Sequence, residues 1–169
     1  ILNSSYNFKA EIEFPEGGGD GMLITQGGRF GGYGFYLLKG KPVFLYNLAG
    51  VARYRVAGNE ALTPGDHTIL FDFQYDGSGL GKGGNGTLQV DGKTVATGRI
   101  ERTLAFRLSL DETLDCGEDT GTPVSEEYHT PFKFTGELKQ VTVYLKPVPL
   151  TTQDQQKLKE VKAAIASSE

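Results

Sequence analysis

The chain has 169 residues, with 17 Lys and Arg against 21 Asp and Glu and a formal net charge of −4. One domain around one core fits that length, and the acidic balance argues against a nucleic-acid partner, which needs a basic face. No run of about 18 apolar residues exists to span a membrane, and the single cysteine, Cys116, excludes an internal disulfide and a cysteine-rich zinc site.

Glycine, at 24 residues, is about twice its usual share of roughly 7%. Ten Phe and eight Tyr supply enough large apolar bodies to build a core. The chain begins at Ile1 without an initiator Met or a signal peptide, so it reads as a processed protein or a piece of a longer one.

Phe8, Ala10, Ile12 and Phe14 alternate with Asn7, Lys9, Glu11 and Glu13, the pattern of a half-buried strand. Pro15 and Gly17 to Gly19 end it. Met22 to Thr25 is a short apolar run closed by Gly27 and Gly28. Tyr33–Leu38 and Pro42–Leu48 form a hairpin across Lys39, Gly40 and Lys41, and Val51–Val56 is a third neighbour. Pro64, Gly65 and Asp66 make a turn. Ile69, Phe71, Phe73 and Tyr75 then point one way, with Asp72 and Gln74 the other. Asp76–Gly86 reads as a glycine-rich loop. Thr87–Val90 and Thr94–Ile100 flank Asp91-Gly92, a type I′ hairpin signal. Phe106–Leu110 reads as a strand, Leu114–Tyr128 as a long loop, and Gly136–Leu145 as the last strand.

About ten short strands at regular spacing with no helix between them predict an antiparallel sandwich. A barrel is the alternative. After Pro147 and Pro149 the period changes. Leu158, Val161 and Ile165 form a narrow helical stripe, and Thr152 with Gln155 fits a capping box. The division expected is a β-sandwich domain over 1–147, then a linker and short C-terminal α-helix over 148–169.

Catalytic patterns are sparse. Nucleophilic catalysis needs a nucleophile, a base and an orienting group. The two histidines, His67 and His129, lie near no Gly-x-Ser-x-Gly elbow and read as structural or exposed. Glu11 and Glu13 have the spacing of a glycosidase pair but sit beside Lys9 on an edge-like strand, as a solvated face would. The segment from Asp76 to Gly84 superficially resembles a phosphate loop. Its Gly81-Lys82 is followed by Gly83 rather than Ser or Thr, and a strand follows rather than a helix.

Asp111, Glu112, Asp115, Glu118 and Asp119 crowd one loop. Calcium needs six to eight hard oxygen ligands, and Asp115 and Asp119 are the candidates, with no EF-hand pattern around them. The reading set beside it is a solvated acidic loop with Asp119 capping a turn.

The region from Tyr33 to Val56 is apolar on both faces. Tyr33, Phe35 and Leu37 oppose Tyr36 and Leu38, and Val43 and Leu45 oppose Phe44, Tyr46 and Leu48. The outer face of a sandwich is ordinarily polar, so these strands are covered on both sides or carry a binding patch. Cover by a segment of this chain, such as Leu114–Tyr128, ranks first. A domain interface ranks second, and sugar stacking on Tyr36, Tyr46 and Tyr54 third. Arg53 and Arg55 could meet carboxylates or sulfates, or stand as exposed charges that discourage edge pairing.

Several segments resemble one family as a set. They are Phe14-Pro15-Glu16-Gly17-Gly18, the run from Gln26 to Gly32, and Val43-Phe44-Leu45-Tyr46-Asn47. The runs Phe71 to Asp76, Gly79 to Gly84, Asp119 to Ser125 and Phe132 to Gly136 complete it. Their order and spacing, over residues 6 to 145, resemble the C-terminal accessory domain of large bacterial arylsulfatases. The resemblance implies a concanavalin A-like or laminin-G-like jelly-roll sandwich, with a sulfatase (sulfuric ester hydrolase) domain upstream of Ile1. In that family a Cys or Ser in the pattern Cys/Ser-x-Pro/Ala-x-Arg becomes formylglycine and works with a divalent cation. Cys116 is followed by Gly117, Glu118, Asp119 and Thr120 and does not match. No catalytic residue and no cofactor is therefore expected in this fragment, beyond the calcium reading.

The resemblance puts a docking module first. Such a module would stabilise the upstream sulfatase domain and shape access to its cleft through Arg29, Phe30, Lys82 and Asp119. A carbohydrate-binding module using Tyr36, Tyr46 and Tyr54 stands second, and an independent enzyme third. The compartment, bacterial cytoplasm or periplasm, stays open.

Overall fold

Side chains of the first long strand alternate as the sequence predicts. In β1 (Ser4–Phe14), Tyr6, Phe8, Ala10, Ile12 and Phe14 are buried and the residues between them are not. The computed structural model describes residues 1–109, 112–147 and 151–166. In chain order β1 is followed by β2 (Gly21–Gly28), β3 (Gly31–Leu38), β4 (Lys41–Leu48), β5 (Ala52–Ala57) and β6 (Gly65–Tyr75). Then come β7 (Lys82–Val90), β8 (Lys93–Arg102), β9 (Leu114–Cys116), β10 (Glu118–Asp119), β11 (Phe132–Lys133), β12 (Glu137–Pro147) and helix α1 (Thr152–Ala166).

Two sheets form a jelly-roll sandwich. One has five strands in the order β12-β1-β6-β7-β8. The other runs β10-β11-β2-β3-β4-β5, with β9 pairing along β2. Pairing is antiparallel except for a single β11–β2 contact at Lys133 and Met22. Two hairpin turns have positive φ at both central residues. Lys39 and Gly40 have φ of 53° and 71°, and Asp91 and Gly92 have 50° and 79°. Both residues of a type I′ turn need positive φ, and the right-handed strand twist selects that turn.

The main core is aromatic. Phe44 of one sheet stacks on Phe71 of the other, ring centroids 3.6 Å apart and planes 7° apart. Tyr6, Phe8, Tyr33, Phe35 and Phe73 surround this pair, all buried.

Glycine placement corrects one expectation. The glycine-rich loop predicted over Asp76–Gly86 ends early, and β7 already begins at Lys82. Gly84 and Gly86 are core-facing strand positions. A Cβ at Gly84 would lie 2.5 Å from the Phe73 ring, and one at Gly86 would lie 2.7 Å from the Phe71 ring. These glycines make room for aromatic rings inside a paired strand.

Other boundaries also move. Gly65 and Asp66 belong to β6 rather than to a turn. No strand forms over 106–109 in the expected strand Phe106–Leu110, whose last residue lies outside the described residues. Nearby backbone is held by side chains instead: Leu104 N–H donates to the Tyr46 hydroxyl at 2.9 Å, and the Asn3 amide donates to the Ala105 carbonyl at 2.7 Å. The loop expected over Leu114–Tyr128 contains β9 and β10, which meet at Gly117 with φ of 80°.

The helix is capped one residue earlier than expected. Thr151, not Thr152, is the N-cap, paired with Asp154 rather than Gln155. Asp154 N–H donates to Thr151 Oγ1 at 3.2 Å, and Thr151 N–H returns a bond to the Asp154 carboxylate at 3.2 Å. Leu158 and Val161 are half-buried. The side chain of Ile165 lies outside the described residues.

Candidate functional site

The two-faced apolar strands are covered from within the chain. Met22, Tyr36, Val43 and Leu45 on the outer face pack under Val124, Tyr128 and Phe132. Tyr128 and Phe132 stack at 4.4 Å, and Tyr36 meets Tyr128 edge-on at 5.4 Å. Polar bonds pin this flap. Tyr128 donates to the buried Asp119 carboxylate at 2.5 Å and accepts from Val124 N–H at 3.2 Å. Tyr36 donates to Glu127 at 3.1 Å. Arg53 and Arg55 reach Glu126 and Glu127 at 3.1 and 3.0 Å.

This arrangement corrects the aromatic platform. Tyr36 and Tyr46 are 0% and 2% exposed, so no sugar can stack on them. Tyr46 faces the main core, where burial pushes its hydroxyl pKa up to about 12. Tyr54 is half-buried against that same core. Nor is the Tyr33–Leu48 surface free to dock on a neighbouring domain, because the flap occupies it.

Exposed apolar side chains stand on β12, at Val143, Tyr144 and Leu145, and at the end of the sandwich formed by the β2–β3 and β4–β5 turns. Phe30 is 78% exposed at the β2–β3 apex, with Val51 at 85% and Phe106 at 45%. The turn below Phe30 is held from the interior. Asn47 is fully buried, and its side-chain nitrogen donates to the Gly28 and Arg29 carbonyls at 2.9 and 3.0 Å. Its carbonyl oxygen accepts from Gly50 N–H at 2.9 Å, which ties the β4–β5 turn to the same group. Arg29 N–H donates to Thr122 Oγ1 at 2.9 Å, and that hydroxyl donates to Glu112 at 2.8 Å.

Two hollows flank this turn. A cavity of about 670 Å³ is lined by Phe30, Ala49, Leu104, Phe106, Leu108 and Thr122, among others. A more polar hollow of about 380 Å³ is lined by Arg29, Arg53, Thr122, Ser125, Tyr128 and His129, with Glu126 and Pro123. Thr122 borders both. Arg29 and Phe30, singled out from the sequence, are thus brought together at this end.

The remaining candidates lie elsewhere. Lys82 lines neither hollow, and its backbone joins Tyr75 and Thr103. Asp119 lies under the flap, where burial raises its pKa against the opposing bond from Tyr128. Asp115 accepts from Thr120 N–H and Oγ1 at 3.1 and 2.9 Å. Among the described residues no group of three or more His, Cys, Asp or Glu could hold a metal ion. Asp111 lies outside them.

Catalytic geometry does not assemble around the histidines. His67 Nδ1 lies 2.7 Å from Asp91 and Nε2 lies 2.7 Å from the Thr63 carbonyl, so both nitrogens face acceptors and no hydroxyl or thiol is engaged. His129 is exposed. Glu11 pairs with Lys9 at 2.5 Å, and Glu13 with Lys139 at 3.6 Å, on the solvated face.

No protein-family model matches the chain, and no curated protein sequence matches it. Solved structures do. The LG1-3 region of the laminin alpha2 chain superposes with a TM-score of 0.60 at 17% identity, over 88% of this chain. The chain spans 29% of the length of that laminin region. The CBM40 of Ruminococcus gnavus IT-sialidase, bound to alpha2,3 sialyllactose, gives 0.59 at 13% identity, over 95% of this chain and 83% of that one. A heptameric SAP-like pentraxin from Limulus polyphemus gives 0.52 at 11% identity, over 93% and 70%. The fold is therefore a concanavalin A-like jelly-roll sandwich. Within that class it resembles laminin-G and carbohydrate-binding modules in fold. None of these structures is a sulfatase.

Proposed function

We propose that this domain is a non-catalytic, lectin-like carbohydrate-binding module whose site is the end of the sandwich around Phe30. The observation that carries the reading is a large aromatic ring, 78% exposed, on a turn locked by a fully buried asparagine. Exposed aromatic surface on a rigid support gives a sugar ring an apolar platform with little ordering cost. Thr122, Glu112 and the Arg29 guanidinium provide hydrogen-bonding groups beside it. The CBM40 neighbour, which holds sialyllactose, shows that a sandwich of this kind can serve as a glycan binder.

Titration of the domain against a glycan array, followed by calorimetry on the best hits, tests the reading. Wild type binds and Phe30→Ala loses most of the affinity at unchanged melting temperature. Binding that survives Phe30→Ala would remove the site from this end.

The sequence resemblance supports a second reading, in which the chain is the C-terminal accessory domain of an arylsulfatase and docks on its catalytic domain. Exposure of Phe30, Val51 and Phe106 together favours it, since three apolar side chains offer more surface than one sugar ring covers. In the full-length parent these three would be protected from solvent labelling. Their full labelling there would exclude docking through this end.

A further inference from the structure

We infer that the saccharide bound at this end is acidic, with a carboxylate or sulfate held by Arg29. The inference rests on the Phe30 reading and names the ligand class for that site. Arg29 adjoins Phe30 in the same locked turn, its N–H bound to Thr122 and its carbonyl to Asn47. The backbone that carries the guanidinium is therefore fixed while the side chain itself is exposed. No ion pair forms between Arg29 and a described carboxylate.

The hollow beside it concentrates positive charge in a chain whose formal net charge is −4. Its lining holds two guanidiniums, Arg29 and Arg53, against one carboxylate, Glu126, with the Glu112 carboxylate on Thr122 at its border. Glu126 is 85% exposed and meets Arg53 Nη1 at 3.1 Å. It marks where a carboxylate is already accepted at this hollow, and its own exposure leaves it free to yield to another anion. Arg53 uses Nε on the Val124 carbonyl, which orients its planar head. A guanidinium has five N–H donors, so donors remain for an anion. Hydroxyls of Thr122 and Ser125 complete the lining. Because Thr122 borders both hollows, a ring on Phe30 and an acidic substituent beside Arg29 lie on one continuous surface.

Calorimetric titration with three oligosaccharides sharing one core tests this: neutral, carboxylated and sulfated. The acidic forms are expected to bind about tenfold or more tightly than the neutral one, as charge-assisted bonds require. That preference should shrink between 50 and 200 mM salt, as exposed charges are screened. Arg29→Ala should abolish the preference, bringing the acidic forms down to the affinity of the neutral one in the same variant, and Arg29→Lys should retain part of it. The carboxylated and sulfated arms decide which anion the site takes. Equal affinity for neutral and acidic forms, still lost in Phe30→Ala, would overturn the acidic ligand and leave the glycan reading standing. A preference untouched by Arg29→Ala would overturn the role of Arg29. No binding to any of the three, or to the array, would overturn the glycan reading itself.

Discussion

The side-chain amide of Asn47, which solvent does not reach, donates to the Arg29 carbonyl at 3.0 Å. Through this bond the interior of the sandwich sets the shape of its exposed end. Asn47→Ala removes the donor to two carbonyls and the acceptor for Gly50 N–H. Leaving such buried groups unpaired should cost about 2–3 kcal/mol, read as a lower urea midpoint at unchanged slope. Glycan affinity should fall with it, because the Phe30 turn loses its support.

The flap gives a second test. Tyr128→Ala removes a buried ring and uncovers Met22, Tyr36, Val43 and Leu45. The loss should be about 3–5 kcal/mol, with increased binding of a hydrophobic dye. Tyr128→Phe keeps the packing but takes one of two donors from the Asp119 carboxylate, leaving Gly121 N–H, and removes the acceptor for Val124 N–H. Burial already raises the Asp119 pKa, so its ionisation opposes folding once pH climbs above the unfolded-state value. Tyr128→Phe should therefore destabilise more at pH 7 than at pH 4. An equal loss at both would show that Asp119 does not carry the effect.

Glycine content has a packing cause that a substitution pair can expose. Gly86→Ala would place a Cβ 2.7 Å from the Phe71 ring. Overpacking of this kind costs about 1–3 kcal/mol. Gly17→Ala meets nothing within 4 Å and should leave stability unchanged or slightly raised. Thermal melts of the two variants give the comparison.

His67 bridges Asp91 and the Thr63 carbonyl, an arrangement only the doubly protonated ring satisfies. Partial burial opposes that charge, but the bonds to Asp91 and Thr63 outweigh it and raise the pKa above the ordinary histidine value. Asp91 is shifted down, its bonds to Thr68 N–H and His67 outweighing desolvation. The histidine contribution is complete below about pH 6.5 and is lost as pH rises through the folded-state pKa. The aspartate contribution is present above its unfolded pKa and is lost as pH falls through the folded one. The clamp is thus strongest in mildly acidic solution. Asp91 is half exposed, so screening limits the effect to about 1 kcal/mol or less, roughly 2–4 °C in Tm. Wild type should lose that much between pH 5.5 and 8.5 relative to Asp91→Asn, and parallel curves would refute the clamp.

Much of the sandwich is local in origin. The inward set of β1 follows from side-chain alternation, and Asp91-Gly92 adopts the positive φ that its residue types favour. Boundaries were legible only where such local signals end a strand. Gly84 and Gly86 read as loop residues because glycine ordinarily marks turns, while the rings that require them, Phe73 and Phe71, stand on a neighbouring strand. Tyr36 and Tyr46 were wrongly placed as platforms for a related reason: alternation tells which side chains share a face but not which face meets solvent.

The sequence by itself determined an all-β chain with two-faced apolar strands, a type I′ hairpin at Asp91-Gly92 and a terminal helix, since backbone preference and side-chain period act between near neighbours. Only the tertiary structure decided that the segment from Val124 to Phe132 closes over Met22, Tyr36 and Val43, and that Asn47 holds the Arg29–Phe30 turn at the open end. Those contacts join residues far apart along the chain, as between Tyr36 and Glu127, 91 positions away. They form because buried apolar surface and polar groups each need partners, and pairings at such distances leave no period in the sequence.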